Sequence, residues 1–305
     1  MTRRGWVLFA TMGVIWGVPY LLIKVAVADL SPASLVLLRT ATGAVLLVPL
    51  AAARGALAPL RPHWRWVLVY TVVEVAVPWM LLSDAERHVS SSLAGLLVAA
   101  VPFMGALIAL TGGDDRVDVR RSLGLLVGFV GVATLVGFDL SGGSLGAVGE
   151  IAVVTVGYAL GPVIIVRRLR GVPAVGVVAA SLVLTAIVYA PIGILQLPSH
   201  APSVRVVLAV AGLGVVCTAV AFLLFFELIA EVGPVRATVI TYVNPAVALG
   251  LGVLVLGETF TAATAAGFVL ILAGSVLATR RAPVAAAQRR RREPADQVTP
   301  YAGVP

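Results

Sequence analysis

The stretch Val235-Arg236-Ala237-Thr238-Val239-Ile240-Thr241-Tyr242-Val243-Asn244-Pro245-Ala246-Val247-Ala248-Leu249-Gly250 decides how the chain is read. It is apolar enough to cross a bilayer, yet its middle carries two threonines, a tyrosine, an asparagine and a proline. With 3.6 residues per helical turn, Thr238, Thr241, Tyr242 and Pro245 share one face and Asn244 stands beside it. Pro245 has no N–H to give the carbonyl of Thr241, which is left as a free acceptor next to hydroxyls and an amide. Such groups cannot face hydrocarbon; they must face protein or a watery cavity. The segment therefore reads as part of the wall of a pathway, with Thr241, Tyr242 and Asn244 as candidate ligand contacts.

The surrounding chain supports a membrane reading. Of 305 residues, 60% are hydrophobic and 12% charged, and mean hydropathy is +1.06. A soluble domain is about 45–50% apolar and about 25% charged. Taking about 20 apolar residues per span, ten spans emerge: about 5–27, 33–53, 66–83, 89–111, 121–139, 147–166, 174–196, 204–229, 235–256 and 262–279. The first is too long for a signal-peptide core and reads as an uncleaved span. Asp29-Leu30-Ser31-Pro32 and Ser141-Gly142-Gly143-Ser144 punctuate the run, while spans eight and nine are almost continuous.

The arginines give an orientation. With the N-terminus in the cytoplasm, inside loops hold Arg3, Arg4, Arg54, Arg61, Arg65, Arg116, Arg120, Arg121, Arg167, Arg168, Arg170, Arg236, Arg280 and Arg281. Outside loops hold Arg87 and Arg205, with Lys24 near an outer end. Both termini are then cytoplasmic, and the net charge of +8 is accounted for by topology without a nucleic-acid partner. Residues 281–305 read as a disordered cytoplasmic tail. The single cysteine, Cys217, excludes an intramolecular disulfide, and the three histidines fall in separate loops, so no metal or other cofactor is expected.

The chain also repeats itself. A shift of 143 positions brings Pro19 onto Pro162, Lys24 onto Arg167, Ala94 onto Ala237, Pro102 onto Pro245, Gly124 onto Gly267 and Gly131 onto Gly274. Asp84 then meets Glu227, and Asp115 meets Glu258. Each half, 1–141 and 142–280, holds five spans; because five is odd, the second half enters the membrane inverted. Inverted repeats with broken helices at matching places mark secondary transporters.

Several residues carry a likeness to a known group: Ile15-Trp16-Gly17, Arg39, Tyr242-Val243-Asn244-Pro245, Leu256-Gly257-Glu258, Gly267 and Gly274. Their first-half partners are Val101-Pro102-Phe103, Gly113-Asp114-Asp115, Gly124 and Gly131. Over roughly residues 5–280 the chain resembles EamA-type members of the drug/metabolite transporter superfamily, departing from them at Gly113-Asp114-Asp115, where Leu-Gly-Glu often recurs. The resemblance implies an all-α membrane protein that moves small metabolites such as amino acids, or drugs, without ATP, more often outward. No phosphate-binding loop is present, in keeping with that.

Candidate contacts inside the spans are Trp16, Tyr20, Glu74, Trp79 and Tyr158. Glu74 lies mid-span, where a charge costs about 2.5–3.5 kcal/mol on insertion scales. It faces a cavity, where it could also couple to protons, or it pairs with Arg39 or Lys24, or it is a neutral carboxyl that hydrogen-bonds a kinked helix. Arg39 either holds a substrate carboxylate, or pairs with Glu74 or with span-end carbonyls, or snorkels to the interface. The aromatic residues either line the path or belong to interfacial belts, as Trp64 and Trp66 do. Pro19, Pro102, Pro162 and Pro245 are hinges or static kinks. Lys24 snorkels to the interface, Glu258 caps the last helix or pairs locally, and Glu86 lies where solvation is cheap. Expected partners are a small-molecule substrate, the bilayer and, as a coupling ion, protons, with the protein a monomer or homodimer. No span combines a nucleophile with a base, so an enzyme is not expected. A channel-like facilitator or a non-transporting membrane sensor is the alternative.

Overall fold

The computed structural model describes residues 1–111, 119–138, 144–233 and 237–279. Gly113-Asp114-Asp115, the loop at 139–143, Val235, Arg236 and the tail lie outside the described residues. Everything described is helix, turn or loop, with no strand among the described residues. Eight helical runs are long and apolar enough to cross a membrane: Arg3–Ala26, Pro32–Ala53, Ala58–His88, Ser91–Ile108, Leu145–Arg168, Ala174–Leu195, Val204–Val232 and Val239–Leu256. Ser122–Val136 and Ala262–Ala278 are shorter apolar helices where the fifth and tenth spans were expected.

Local chemistry sets the ends. Ser31 accepts from the Ser34 N–H at 3.1 Å and Pro32 takes the first helical position, so Asp29-Leu30-Ser31-Pro32 is a turn followed by a capped helix. Ser90 and Ser203 cap two further helices in the same way. The helices are α1 (Arg3–Ile15), α2 (Val18–Ala26), α3 (Pro32–Ala53), α4 (Trp64–Tyr70), α5 (Val77–His88), α6 (Ser91–Val98), α7 (Val101–Thr111) and α8 (Val119–Phe138). Then follow α9 (Ser144–Arg168), α10 (Ala174–Leu195), α11 (Val204–Ala211), α12 (Ala221–Val232), α13 (Asn244–Leu256) and α14 (Ala262–Thr279).

Five runs are interrupted, numbered in the order of the ten spans. The first breaks at Trp16-Gly17 and the fourth at Ala99-Ala100. The ninth starts as a 3₁₀ segment, Thr238–Tyr242, before α13. Pro19, Pro102 and Pro245 each sit in the first turn of the helix that follows such a break, where a missing N–H costs nothing. Pro162 differs: α9 runs through it without interruption. The third and eighth runs carry π-helical segments, Thr71–Ala76 and Gly212–Val220. Shifted by 143, residues 71–76 fall at 214–219, inside the second segment. No proline marks either one, so the sequence pattern did not announce them.

Small residues let the helices approach. A Cβ on Gly124 would lie 2.9 Å from the Gly274 carbonyl oxygen, and one on Gly267 would lie 3.1 Å from that of Gly131. Exchanging the two halves turns the first of these contacts into the second. α8 and α14 thus pack backbone to backbone, while Gly128 faces Phe103 of α7. Elsewhere the Ser34 hydroxyl donates to the Gly193 carbonyl at 2.7 Å, joining α3 to α10. Gly17 takes Val247 of α13 so closely that an added Cβ would stand 2.5 Å from its Cβ. Large apolar side chains such as Val45, Ile187 and Leu254 point outward, as a lipid-facing belt requires.

Glu258 fastens the bundle at the end opposite the N-terminus. Gly257, in the left-handed region at φ 68°, turns the chain back after α13. The Glu258 carboxylate then accepts from the Ser91 N–H at 2.7 Å, the Ser92 N–H at 2.9 Å and the Ser92 hydroxyl. It therefore caps α6, some 166 residues away, and corrects the expectation of a local role. The last helix has its own cap, since Thr261 accepts from the Thr264 N–H at 3.1 Å. Burial pushes the Glu258 carboxyl up, but the Ser92 and Ser91 hydrogen bonds more than offset this and hold it below its ordinary 4.5. At the other end Arg4 pairs with Glu227 at 2.5 Å, an exposed contact of small energetic weight.

Two outcomes are expected. Gly274→Val pushes a side chain into the backbone of α8 and lowers stability by about 1–3 kcal/mol, the usual cost of overpacking, read as a lower melting temperature in detergent. Glu258→Ala leaves the Ser90 cap of α6 in place but removes the carboxylate bonds to the Ser91 and Ser92 N–H groups, at about 1–2 kcal/mol. Because the folded carboxyl titrates below its unfolded value, its contribution is complete above the ordinary 4.5 and fades as pH falls through the lowered value. Glu258→Gln should flatten that acid limb of the melting curve.

Candidate functional site

Arg39 stands two turns into α3, about a third of the way along the helix. Its side chain is buried, 7% exposed. The guanidinium carbon lies 3.6 Å from the centroid of the Trp79 ring, a stacked cation–π contact. Its Nε donates to the Thr218 hydroxyl at 3.1 Å. No carboxylate comes within 4.0 Å of it among the described residues, so Arg39 and Glu74 do not form an ion pair.

The π-helical segments build this arrangement. Thr218 lies within Gly212–Val220, and Trp79 follows Thr71–Ala76 by three residues. A π turn adds a residue and rotates everything after it relative to a 3.6 pattern. Hydrophobic periodicity therefore could not have placed either side chain against Arg39.

Two tyrosines close the group. Tyr20, on α2, is 7% exposed and packs beside Gly95 of α6. Tyr158, on α9, touches both main apolar clusters, the second of which contains Trp79. Both tyrosines, Glu86 and Cys217 lie within electrostatic reach of Arg39. Tyr158 also lies within reach of Glu74 and so relates the two charged positions.

Glu74 occupies the π-helical segment itself and lodges in a notch left by Gly161; any side chain at 161 would collide with its carboxyl group. Its Oε2 is buried and makes no hydrogen bond. Glu86 was expected at a solvated span end, but it is 0% exposed and neither carboxylate oxygen makes a hydrogen bond. Lys24 was expected to snorkel. Instead its Nζ donates to the carbonyls of Glu86 at 2.6 Å and Val89 at 2.8 Å, satisfying the C-terminal end of α5.

The remaining sequence candidates gather elsewhere. Trp16 stacks on Phe225 at 4.6 Å and meets Phe222 edge-on at 5.9 Å, both from α12. Oriented to donate, the Asn244 amide reaches the carbonyls of Gly13 at 3.1 Å and Ile240 at 3.0 Å. It thereby satisfies acceptors where α1 and the ninth run cross. Thr241 and Tyr242 are half-buried on the 3₁₀ segment, which packs against α1. The structure thus brings Tyr20, Trp79 and Tyr158 around Arg39, leaves Glu74 within reach of Tyr158 alone among these, and sets Trp16, Thr241, Tyr242 and Asn244 at the helix crossing. Thr218 and Glu86 were missed as members of the centre. Thr218 sits in an unbroken apolar run and gave no signal, whereas Glu86 was visible as an acid next to a span. Among the described residues no three His, Cys, Asp or Glu side chains cluster to hold a metal ion.

Comparison with known proteins fits this architecture. The chain is 29% identical over 256 residues to the uncharacterized inner membrane transporter YedA of Escherichia coli (strain K12), covering 81% of each chain. It is 24% identical over 274 residues to the uncharacterized transporter YvbV of Bacillus subtilis (strain 168), covering 87% of this chain and 88% of the other. A protein crystal structure with 24% identity superposes on 92% of this chain and 98% of its own with a TM-score of 0.65, so the fold is shared. The EamA-like transporter family model matches residues 3–137 and again 147–280. The chain, matched over both halves, belongs to the EamA-like transporter family.

Proposed function

We propose that this protein is a secondary transporter of small metabolites, such as amino acids, or of drugs, working by alternating access across the bacterial cytoplasmic membrane. Export is the proposed direction. The observation that carries the reading is the meeting of helix interruptions at one buried, charged and aromatic centre. Two π-helical segments at equivalent places in the two halves supply Trp79 and Thr218 to it. Ligand sites formed by discontinuous helices near the midplane are what inverted-repeat carriers use.

In this reading the ten apolar helices form two inverted five-helix units, 1–141 and 142–280, followed by a cytoplasmic tail at 281–305. The doubled family match and the reciprocal glycine contacts between α8 and α14 support that division. With both termini in the cytoplasm, the Glu258 cap on α6 lies at the outer face and the Arg4–Glu227 pair at the inner face. Alternating access then requires these two ends to open in turn. Tyr20, Glu74, Trp79 and Tyr158 contact the substrate directly. Trp16, Thr241, Tyr242 and Asn244 shape the crossing next to it, with Pro19, Pro102 and Pro245 as hinges and Pro162 as a static kink. Glu74, a carboxyl with a buried and unbonded oxygen, is the candidate proton-coupling group.

Reconstitution in proteoliposomes tests the reading. Labelled amino acids and cationic dyes should include a solute whose flux saturates and shows counterflow; flux that never saturates would indicate a channel-like facilitator, and none at all a sensor. For the transported solute, Glu74→Gln and Tyr242→Phe should each slow initial rates about tenfold, equivalent to about 1.4 kcal/mol, with unchanged size-exclusion profiles. Wild-type rates in both variants would remove these residues from the site.

A further inference from the structure

We propose that Arg39 is the anchor for a substrate carboxylate, so that the transporter reading, on which this rests, narrows to monoanionic organic acids or zwitterions. The other cation of the described spans that is not exposed has protein partners suited to its charge. Lys24 has two carbonyls. Arg39 has a neutral hydroxyl at Nε and a ring beneath its plane, and neither neutralises it. Its two Nη groups make no hydrogen bond among the described residues, and they form the edge of the guanidinium that fits a carboxylate two bonds at a time. A buried charge left this way is costly, and a protein keeps it where something arrives to pair with it.

The surroundings select the kind of anion. Trp79 holds the guanidinium plane flat, and the Thr218 bond at Nε fixes its rotation, so the Nη edge is preorganised. Tyr20 and Tyr158 supply aromatic walls close by, which suit an apolar or flat substrate body. Among the described residues Arg39 is the one cation within reach of Tyr20 and Tyr158, and Glu86 also lies within its electrostatic reach. A carboxylate brings one negative charge and neutralises Arg39. A phosphate monoester brings about two and would leave an excess in a water-poor centre that already contains acids.

Binding to the full-length purified protein in nanodiscs tests this, read by tryptophan fluorescence and by melting temperature. The probes are 3-phenylpropanoate, hexanoate and L-phenylalanine, each against its primary amide, with phenyl phosphate as the dianion. At least one carboxylate should bind about 10–100-fold more tightly than its amide, the range expected for hydrogen bonds to a charged group. Phenyl phosphate should bind more weakly than 3-phenylpropanoate. Arg39→Gln should abolish the preference for carboxylate over amide, and Arg39→Lys, which keeps the charge but loses the fork, should retain part of it. If Arg39→Gln does not fold, the wild-type pairs and Arg39→Lys still decide. Equal affinity for acid and amide, tighter binding of the phosphate, or no carboxylate binding overturns the assignment. Counterflow of a cationic or neutral solute without carboxylate binding would leave the transporter reading standing and remove only this anchor. Carboxylate binding without any counterflow would do the reverse.

Discussion

In hydrocarbon a backbone N–H or C=O has no water to pair with, and this chain nevertheless interrupts its helices in the middle of the bundle. The fold is stable because groups brought in from elsewhere satisfy those interruptions and the nearby helix ends. Glu258 satisfies N–H groups at the start of α6, Asn244 reaches carbonyls of Gly13 and Ile240, and Lys24 closes the carbonyls at the end of α5. Most of these contacts join segments far apart in sequence. Glycine makes the same economy possible between intact helices, since α8 and α14 touch through backbone rather than side chains.

The same logic concentrates chemistry at the centre. The two π-helical segments rotate Trp79 and Thr218 toward Arg39, and the glycine at 161 makes room for Glu74 on the first of them. These are departures from ideal helix geometry, each with a local energetic cost, gathered at one buried centre. The two ends of the bundle differ in kind. One is closed by a charged cap with several hydrogen bonds on half-buried groups, and the other by an exposed ion pair. Rearrangement between two states would therefore meet different resistance at the two ends.

Much of the fold was legible in the amino-acid order. The apolar runs, the Ser-Pro helix start at Ser31 and the constant 143-residue offset all appear without coordinates. So did much of the centre: Tyr20, Arg39, Trp79 and Tyr158 stand out as polar or aromatic residues in apolar spans, as does Glu74. The roles of Glu258, Lys24 and Glu86 were not legible, because each depends on a neighbour from another part of the chain. Glu258 sits in a short loop and could as well have capped the helix it precedes; Thr261 had already taken that place.

What the sequence determined by itself is the membrane class, the helical content and the kinship of the two halves. These follow from local composition and from periodicity, which hydrocarbon thickness and backbone pairing translate directly into structure. Only the tertiary structure decided which charge stands alone and which is satisfied. Pairing in a low-dielectric interior turns on ångström distances between helices, and two π-helical segments with no sequence marker had set those distances at Arg39.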